Sequence, residues 1–464
     1  MTDIQVWREN APGELKFSKD FDVVKKAVLQ VTDIKTNRNK YYAVELHSSK
    51  DKYRVFTHYG RTDDLDSNPE AGIRESRYCD SLNEAEKIYN RILSEKTSAK
   101  KGYKEINLAS SKIGSKKTFG QSSGVIDGQT LNKMKDRKIT PASTLSKPLQ
   151  DFVDYIYAEA TNKLTSTVNV NITANGIETP LGVLTVAQID KGQNYLDQLS
   201  VLLNKNKTKS IENDIIDLTG EFYTVVPHKF GRSKEAAQEA IINSVEKLTA
   251  KQDTLQLMRD MLNVNSKGNV LADSAIEQKY KALDCKIGFL DKNDLKFKEI
   301  ESHIIKSKVG YGSVGKVKNI YTLRRESEHA VFNKGIGNEK LLFHGSRVQN
   351  WVGILSRGIL LPKNVVKLGV HRTDAGWLGH GIYFGDAINT SLAYAESGRR
   401  GTSFVAIATV ALGKIKDYNK ITYGLTEPPP GYHSCHGVRG TQFADDEFVV
   451  YNHNQQKLEY LIEI

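Results

Sequence analysis

Lys340-Leu-Leu-Phe-His344-Gly345-Ser346-Arg347 reads as an apolar strand that ends on an imidazole, a glycine and two polar side chains. Three large apolar residues in a row favour a pleated, buried segment. The glycine directly after the histidine lets backbone amide and carbonyl groups approach a flat ligand closely. Outward from this stretch, Gly381-Ile-Tyr383-Phe-Gly-Asp386, Ser403 to Gly413, Glu447-Phe-Val-Val-Tyr451 and Leu458 to Ile464 read as further strands. Short helices are expected over Asn350 to Leu355 and Asn389 to Tyr394. From about residue 266 onward the chain is therefore a mixed α+β domain.

Upstream the periodicity changes. Ser146 can cap a helix whose first turn holds Pro148, and Leu149, Phe152, Val153, Ile156 and Tyr157 form one apolar stripe. Similar stripes run through Ile189-Leu196-Leu199-Leu203, Ile211-Ile215-Leu218 and Ile241-Val245-Leu248, with Phe222-Tyr-Thr-Val-Val-Pro-His-Lys-Phe-Gly expected as a loop between them. Residues 141–265 thus predict an all-helical bundle. Further upstream, Tyr41-Tyr-Ala-Val-Glu-Leu-His and Tyr53-Arg-Val-Phe-Thr-His-Tyr predict strands, and Leu82, Ala85, Ile88, Tyr89 and Ile92 share one helical face. The Gly/Ser/Lys-rich stretch that follows sets a linker at 113–140, between a domain at 1–112 and the bundle.

Length and composition limit what the chain can be. A chain of 464 residues exceeds one ordinary core, which predicts two or three domains, and 39% apolar with 26% charged residues is the balance of a soluble globular protein. The longest largely apolar run, Phe404 to Leu412, is short of the ~20 residues that a membrane span needs. The N-terminus has no basic segment leading into an apolar one, and Cys79, Cys285 and Cys435 form neither a disulfide framework nor a zinc pair. An intracellular, reducing home is expected. Residues 1–140 carry 27 Lys and Arg against 20 Asp and Glu, which fits a polyanion partner and equally a basic surface with none. Lys133-Met-Lys-Asp-Arg-Lys138 fits a nuclear signal or plain linker lysines. Gly310-Tyr-Gly-Ser-Val-Gly-Lys316-Val317 nearly spells a phosphate-cradling loop, but Val317 stands where a magnesium-binding hydroxyl is required and the next stretch reads as a strand, so nucleotide triphosphate hydrolysis is excluded.

Taken singly, His344 reads as a structural histidine at a strand end, Tyr383 as core, and Glu447 beside Asp445 and Asp446 as a solvated turn. Their order along the chain says more. His344-Gly-Ser, then Gly381-Ile-Tyr383-Phe-Gly-Asp386 with Ser391 and Tyr394 behind it, then Asp446-Glu447-Phe-Val-Val-Tyr451, closely resembles the catalytic domain of the poly(ADP-ribose) polymerase family. Leu341 to Leu355 and Leu425-Thr-Glu-Pro-Pro-Pro-Gly-Tyr look most like its vault-associated branch. Pro148-Leu-Gln-Asp, Thr179-Pro-Leu-Gly-Val-Leu and Phe222 to Gly231 resemble the family's regulatory helical domain. Tyr59-Gly60-Arg61, with Asn39-Lys-Tyr-Tyr before it and Lys101-Gly-Tyr103 after it, is similar to the family's Trp-Gly-Arg (WGR) domain. Tyr59 stands where that family has Trp, and Thr62 to Ile73 is longer and more acidic than its pattern.

The resemblance implies an α+β multidomain chain: a WGR-like nucleic-acid-binding domain of sheet and helix at 1–112, an all-α regulatory bundle at 141–265, and a split-β ADP-ribosyltransferase domain at 266–464. It implies NAD as a consumed substrate with no recycled cofactor and no metal. Breaking the nicotinamide–ribose bond makes the ribose cationic, as in glycoside hydrolysis. Glu447 would stabilise that charge, hold the 2′-hydroxyl and orient the acceptor. His344 would hold a ribose hydroxyl, Gly345 the nicotinamide amide and Ser391 its oxygen. Tyr383 and Tyr394 would sandwich the ring, Ser346 and Asn350 would face the adenosine side, and Gly381, which opens the Tyr383 strand, would belong to the same NAD-binding set. Broken or nicked DNA is the implied partner of the first domain, with Tyr59, Arg61, Tyr103, Lys96, Lys100, Lys101 and Lys104 as candidate contacts. Protein acceptors, the chain itself among them, would receive the ADP-ribose, in the nucleus and with no membrane involved. Two other readings remain: a DNA-end-binding scaffold with a silent transferase fold, and a mono-ADP-ribosylating enzyme or NAD glycohydrolase.

Overall fold

The computed structural model describes residues 4–50, 52–118, 143–168, 170–173, 176–206, 208–228, 233–266, 276–309, 314–359, 361 and 376–464. The lysines at 133–138 and most of the expected linker lie outside them. The chain divides into two compact units, one of residues 1–139 with 167–255, the other of 140–166 with 256–464.

In the first unit, strands β1 (Trp7–Arg8), β2 (Asp22–Asp33), β3 (Arg38–Ser49), β4 (Lys52–Arg61), β5 (Ile73–Cys79) and β6 (Lys104–Glu105) form an antiparallel sheet in the order β1-β5-β4-β3-β2-β6. Helix α1 (Asp64–Ser67) sits in the long acidic stretch after β4, and α2 (Leu82–Thr97) begins on Ser81, whose hydroxyl accepts the Glu84 amide. Ala85, Ile88, Tyr89 and Ile92 of the expected stripe pack with Leu29, Val44, Leu46 and Val55, whereas Leu82, its first member, is exposed in the first turn of the helix. β2 was not legible beforehand: Lys25 and Lys26 interrupt its apolar run, yet Lys26 is buried and its ammonium lies 3.1 Å from the buried Glu45 carboxylate. Glu45 also draws in the chain past residue 112. Ser115 Oγ donates to it at 2.6 Å and Gly114 N–H donates to His58 Nδ1 at 3.1 Å, so Ile113 to Ser115 are buried structure rather than linker.

The helical region supplies α3 (Lys147–Thr167), α4 (Val186–Leu203), α5 (Lys209–Val225), α6 (Lys234–Glu239) and α7 (Val245–Ser266). Its expected all-helical character needs correction. β7 (Leu108–Ser111), β8 (Asn171–Thr173), β9 (Gly176–Glu178) and β10 (Gly182–Leu184) form a second sheet in the order β7-β10-β9-β8, turned by Gly176 and Gly182 at positive φ. Phe222 to Val225 also belong to α5 and not to a loop, because Phe222, Tyr223 and Val225 continue its buried face. Pro227 then disfavours helical geometry at Val226 and ends the helix. Ile241 falls in the turn before α7 instead of on a helical stripe. α5 packs on β2 through Gly220, where an added Cβ would meet the Thr32 carbonyl oxygen at 2.8 Å, and Thr32 N–H donates to Thr224 Oγ1 at 2.8 Å.

α3 and the second half of α7 belong to the other unit, so the helical region is not one body. Within that unit Phe152 of α3 stacks on Tyr321 at 4.5 Å, and Asp260 of α7 receives a two-pronged bond from Arg357 at 2.7 and 3.0 Å. Its strands are β11 (Lys286–Leu290), β12 (Asn319–Arg324), β13 (Glu339–Ser346), β14 (Ile382–Gly385), β15 (Phe404–Ala411), β16 (Ile415–Tyr418), β17 (Ser434–Gly437), β18 (Glu447–Val450) and β19 (Gln456–Glu463). They run in the order β11-β12-β19-β15-β13-β14-β18-β17-β16, parallel only between β16 and β17. Helices α8 (Ile276–Ala282), α9 (Leu295–Lys306), α10 (Glu326–Val331), α11 (Trp351–Arg357) and α12 (Ile388–Leu392) accompany the sheet. Phe297, Ile300 and Ile304 of α9 pack on Phe343, Val405, Ile407 and Ile462. The chain after Lys316 enters β12, a strand, as the rejection of a phosphate loop requires.

Candidate active site

Strands β13, β14 and β18 lie side by side and bring the expected set together. Phe343 pairs with Gly385, and Gly385 pairs with Glu447. Gly385 lets the chain of α12 approach the strand closely, since a Cβ there would stand 3.2 Å from Thr390 Cβ and 3.4 Å from Ser391 Oγ. Tyr383 pairs with Val449 on the same β14–β18 ladder.

His344 lies partly exposed near the end of β13, and its Nδ1–H donates to the Tyr383 carbonyl at 2.9 Å. Burial pushes the imidazole below its usual pKa, partly countered by that bond. With Nδ1 carrying the proton, Nε2 is left as an acceptor without a partner among the described residues. Tyr383 is anchored at its far end: its hydroxyl donates to the Gly379 carbonyl at 2.7 Å and accepts from Leu378 N–H at 3.0 Å. Burial, the Leu378 bond and then the Glu447 charge act on this phenol, and its pKa rises. Ring position is therefore fixed before any ligand arrives.

Glycines make room around these groups. A Cβ on Gly345 would stand 1.8 Å from the Ser391 carbonyl oxygen, and one on Gly381 would stand 2.2 Å from Val449 Cγ1. Ser391 is buried on α12 beneath that contact. Ser346 and Asn350 hydrogen-bond one another, Asn350 Nδ2 donating to Ser346 Oγ at 3.1 Å. Tyr394 is 63% exposed at the end of α12. Its phenol is pushed up by its partial burial, then by Glu447 and Asp445.

Glu447 is 8% exposed and its carboxylate has no hydrogen bond to any described residue. Burial, reinforced by the neighbouring Asp445 charge, raises it to about 7. An unsatisfied, half-desolvated carboxylate is costly for a fold and suited to meeting a cation. Its neighbours are well held: Thr390 Oγ1 donates to Asp445 at 2.8 Å, and Asp446 is bonded to His436 and to Arg439 N–H. In the sequence Asp445 and Asp446 read only as neighbours of Glu447 in a solvated turn, and His436 has no place in that reading. The short Ser434-Cys-His-Gly stretch carries no strand signal, since glycine and serine are poor strand formers, and only the β17–β18 register reveals the neighbours of His436.

The candidate nucleic-acid contacts in the first unit are less uniform. Tyr59 stacks on Tyr42 at 5.2 Å and its hydroxyl donates to Glu75. Arg61 gives its guanidinium to Asp63 at 2.7 Å and to the Asn37 turn. Lys104 pairs with Glu221 at 2.5 Å and donates to Tyr195. Lys96 lies over the Tyr42 ring at 4.7 Å, and Tyr103 meets the same ring edge-on. Lys100 is exposed, and no side-chain partner is seen for it or for Lys101 among the described residues.

Three family models match the chain: the WGR domain over residues 25–110, the poly(ADP-ribose) polymerase regulatory domain over 143–286, and the poly(ADP-ribose) polymerase catalytic domain over 296–442. The last takes in His344 and Tyr383 and stops short of Glu447. Protein mono-ADP-ribosyltransferase PARP4 of Homo sapiens is 36% identical over 332 residues, covering 70% of this chain and 18% of its own length. Poly [ADP-ribose] polymerase 2-A of Oryza sativa subsp. japonica is 29% identical, covering 64% of this chain and 49% of its own. Protein mono-ADP-ribosyltransferase PARP3 of Mus musculus is 24% identical, covering 98% of this chain and 89% of its own. The chain thus spans about a fifth of the PARP4 relatives it matches.

Proposed function

This chain belongs to the poly(ADP-ribose) polymerase family, and from that premise we propose that it cleaves the nicotinamide–ribose bond of NAD and transfers ADP-ribose to protein acceptors, itself included. The observation that carries the proposal is the buried, unpartnered Glu447 carboxylate, in register with Gly385 of β14, the strand of Tyr383 and of the carbonyl that holds His344.

Nicotinamide leaves with the glycosidic electron pair, and the ribose carbon turns cationic. Glu447 faces that charge, and a carboxylate stripped of other partners stabilises it most when it forms. The acceptor oxygen then bonds to the same carbon and loses its proton to Glu447. The nicotinamide ring fits between the anchored Tyr383 and the exposed Tyr394. His344 Nε2 accepts from a ribose hydroxyl. Gly345, Ser391, Ser346, Asn350 and Gly381 keep the roles expected of them above. The reading needs no metal step.

The relatives' names include both mono-ADP-ribosyltransferase and poly(ADP-ribose) polymerase, so product length is open to measurement. The WGR match supports stimulation by broken DNA, with Lys100 and Lys101 as the candidates whose charges are free to meet phosphates. A nuclear location belongs to the same reading. Incubating the chain with labelled NAD, with and without nicked or blunt duplex DNA, tests it. Label on protein, increased by DNA, is expected, and ladders separate polymer from single additions. Free ADP-ribose alone or no reaction overturns it, the latter favouring a silent DNA-end-binding scaffold.

A further inference from the structure

Glu447 opens β18, and the residues on either side of it are held by one imidazole. His436 of β17 places Nε2 2.9 Å from Asp446 Oδ1 and Nδ1 2.9 Å from Asp417 Oδ1 of β16. The same ring lies flat on Phe448, 4.4 Å between centroids at 4°. Register explains the grip: His436 pairs with Phe448, and Gly437 pairs with Glu447. Arg439 adds its backbone N–H to Asp446 Oδ1 at 3.0 Å and its guanidinium to Oδ2 at 3.6 Å. The Lys340 ammonium also lies over the Phe448 ring, 4.9 Å from its centroid. Ionised carboxylates only accept hydrogen bonds, so the ring satisfies both aspartates when both of its nitrogens carry protons.

Glu447 itself has no such support. Its carboxylate bonds to no described residue, and Asp445 beside it is also acidic, so its direction depends on the backbone that carries it. We propose that His436 is a positioning residue for ADP-ribosyl transfer: by bridging Asp417 to Asp446 and stacking on Phe448, it fixes the chain on both sides of Glu447 and keeps that carboxylate aimed at the cationic ribose. The inference rests on the transferase reading above. It assigns a role to β16 and β17, which carry none of the expected site residues. A slack of about 1 Å in a reacting group costs on the order of a hundredfold in rate.

The test uses the purified full chain, with NAD turnover followed to separate kcat from KM and NAD affinity measured directly. His436→Ala is expected to lower kcat by about a hundredfold while KM and NAD affinity stay within about threefold. Added imidazole, returning the ring to its vacated place, should restore part of the rate. Asp417→Asn, which leaves the ring in place and loosens one end, should lower kcat by about tenfold with the same split and protects the test if His436→Ala fails to fold. Parent-like kcat in both variants overturns the proposal alone. So does a joint loss of kcat, NAD affinity and melting temperature without imidazole recovery. A parent chain that never consumes NAD removes the transferase reading and this role with it.

Discussion

His344 donates its Nδ1 proton to the backbone carbonyl of Tyr383 across 2.9 Å. The bond joins two of the three expected catalytic residues through main chain, not through their functional atoms. It leaves the imidazole Nε2 without a partner among the described residues, while the tyrosine ring packs beside Gly376 and Leu378 and its hydroxyl is spent on Gly379 and Leu378. Burial keeps the imidazole neutral at pH 7 by holding its pKa below the usual value. The His344 side of the site is therefore uncharged and rigid, and Glu447 is the group left to answer a positive charge.

Glu447→Gln tests that division of labour. The amide keeps the shape and a hydrogen bond but not the charge, so NAD affinity should stay within a few-fold while the transfer rate falls by about 10² to 10³. Tyr394→Phe keeps the ring and should lose less than about threefold. Labelled NAD incorporation, paired with direct binding, reads both. Transfer at the parent rate in Glu447→Gln would remove the charge argument.

The same carboxylate should cost stability in a defined pH window. The folded state holds the Glu447 proton up to about pH 7, whereas the unfolded chain releases it near 4.3 (about the usual value). Between those values the folded state binds more protons, so this group makes stability fall as pH rises, and above 7 the loss is complete. Glu447→Gln should therefore melt above the parent at pH 8, by an amount on the order of 1–3 kcal/mol, and match it near pH 4. Thermal melts across that range decide it. The parent's transfer rate should rise through about pH 7 as the carboxylate ionises.

Much of this was legible in sequence because local pattern and tertiary role coincide. Leu342 and Phe343 before His344 read as buried strand and are buried in β13, though Leu341 is exposed, and Ala85, Ile88, Tyr89 and Ile92 read as one helical face and pack together on the sheet. Legibility fails where a long-range partner reverses a local signal. Lys25-Lys26 looks solvated, yet Lys26 is buried because Glu45 and the Ile113 carbonyl meet it. Ile113 to Ser115 looks like linker until Glu45 and His58 supply its bonds. Phe222 to Val225 read as a loop because they interrupt the helical stripes, but burial of their side chains extends α5 to the last position that Pro227 allows. His436 carried no signal of its own, since its meaning lies in two aspartates on other strands.

Gly345 gives a steric prediction. An alanine Cβ would stand 1.8 Å from the Ser391 carbonyl oxygen, a backbone atom that cannot swing aside. α12 must shift, moving Ser391 and Tyr394 together. Gly345→Ala should cost about 1–3 kcal/mol of stability and raise the KM for NAD. Unchanged melting and unchanged KM would show that β13 and α12 are not in this contact.

The basic first unit yields a prediction that separates contact from structure. Lys104 is tied to Glu221 and Tyr195, and Arg61 to Asp63 and Asn37, so the fold already uses their charges. Lys100 and Lys101 are the candidates with ammonium groups available to phosphates. Each phosphate neutralised releases counterions, and the logarithm of affinity for duplex DNA falls with the logarithm of salt by about 0.9 per contact. Replacing Lys100 and Lys101 together by Ala should weaken binding to a nicked duplex and flatten that slope by roughly 1.8, without lowering the melting temperature. Lys104→Ala should do the reverse, lowering the melting temperature of the first unit while leaving the salt slope nearly intact. Anisotropy titrations at several salt concentrations, beside melts, distinguish the two. A slope unmoved by the double substitution places the DNA contacts elsewhere in the unit.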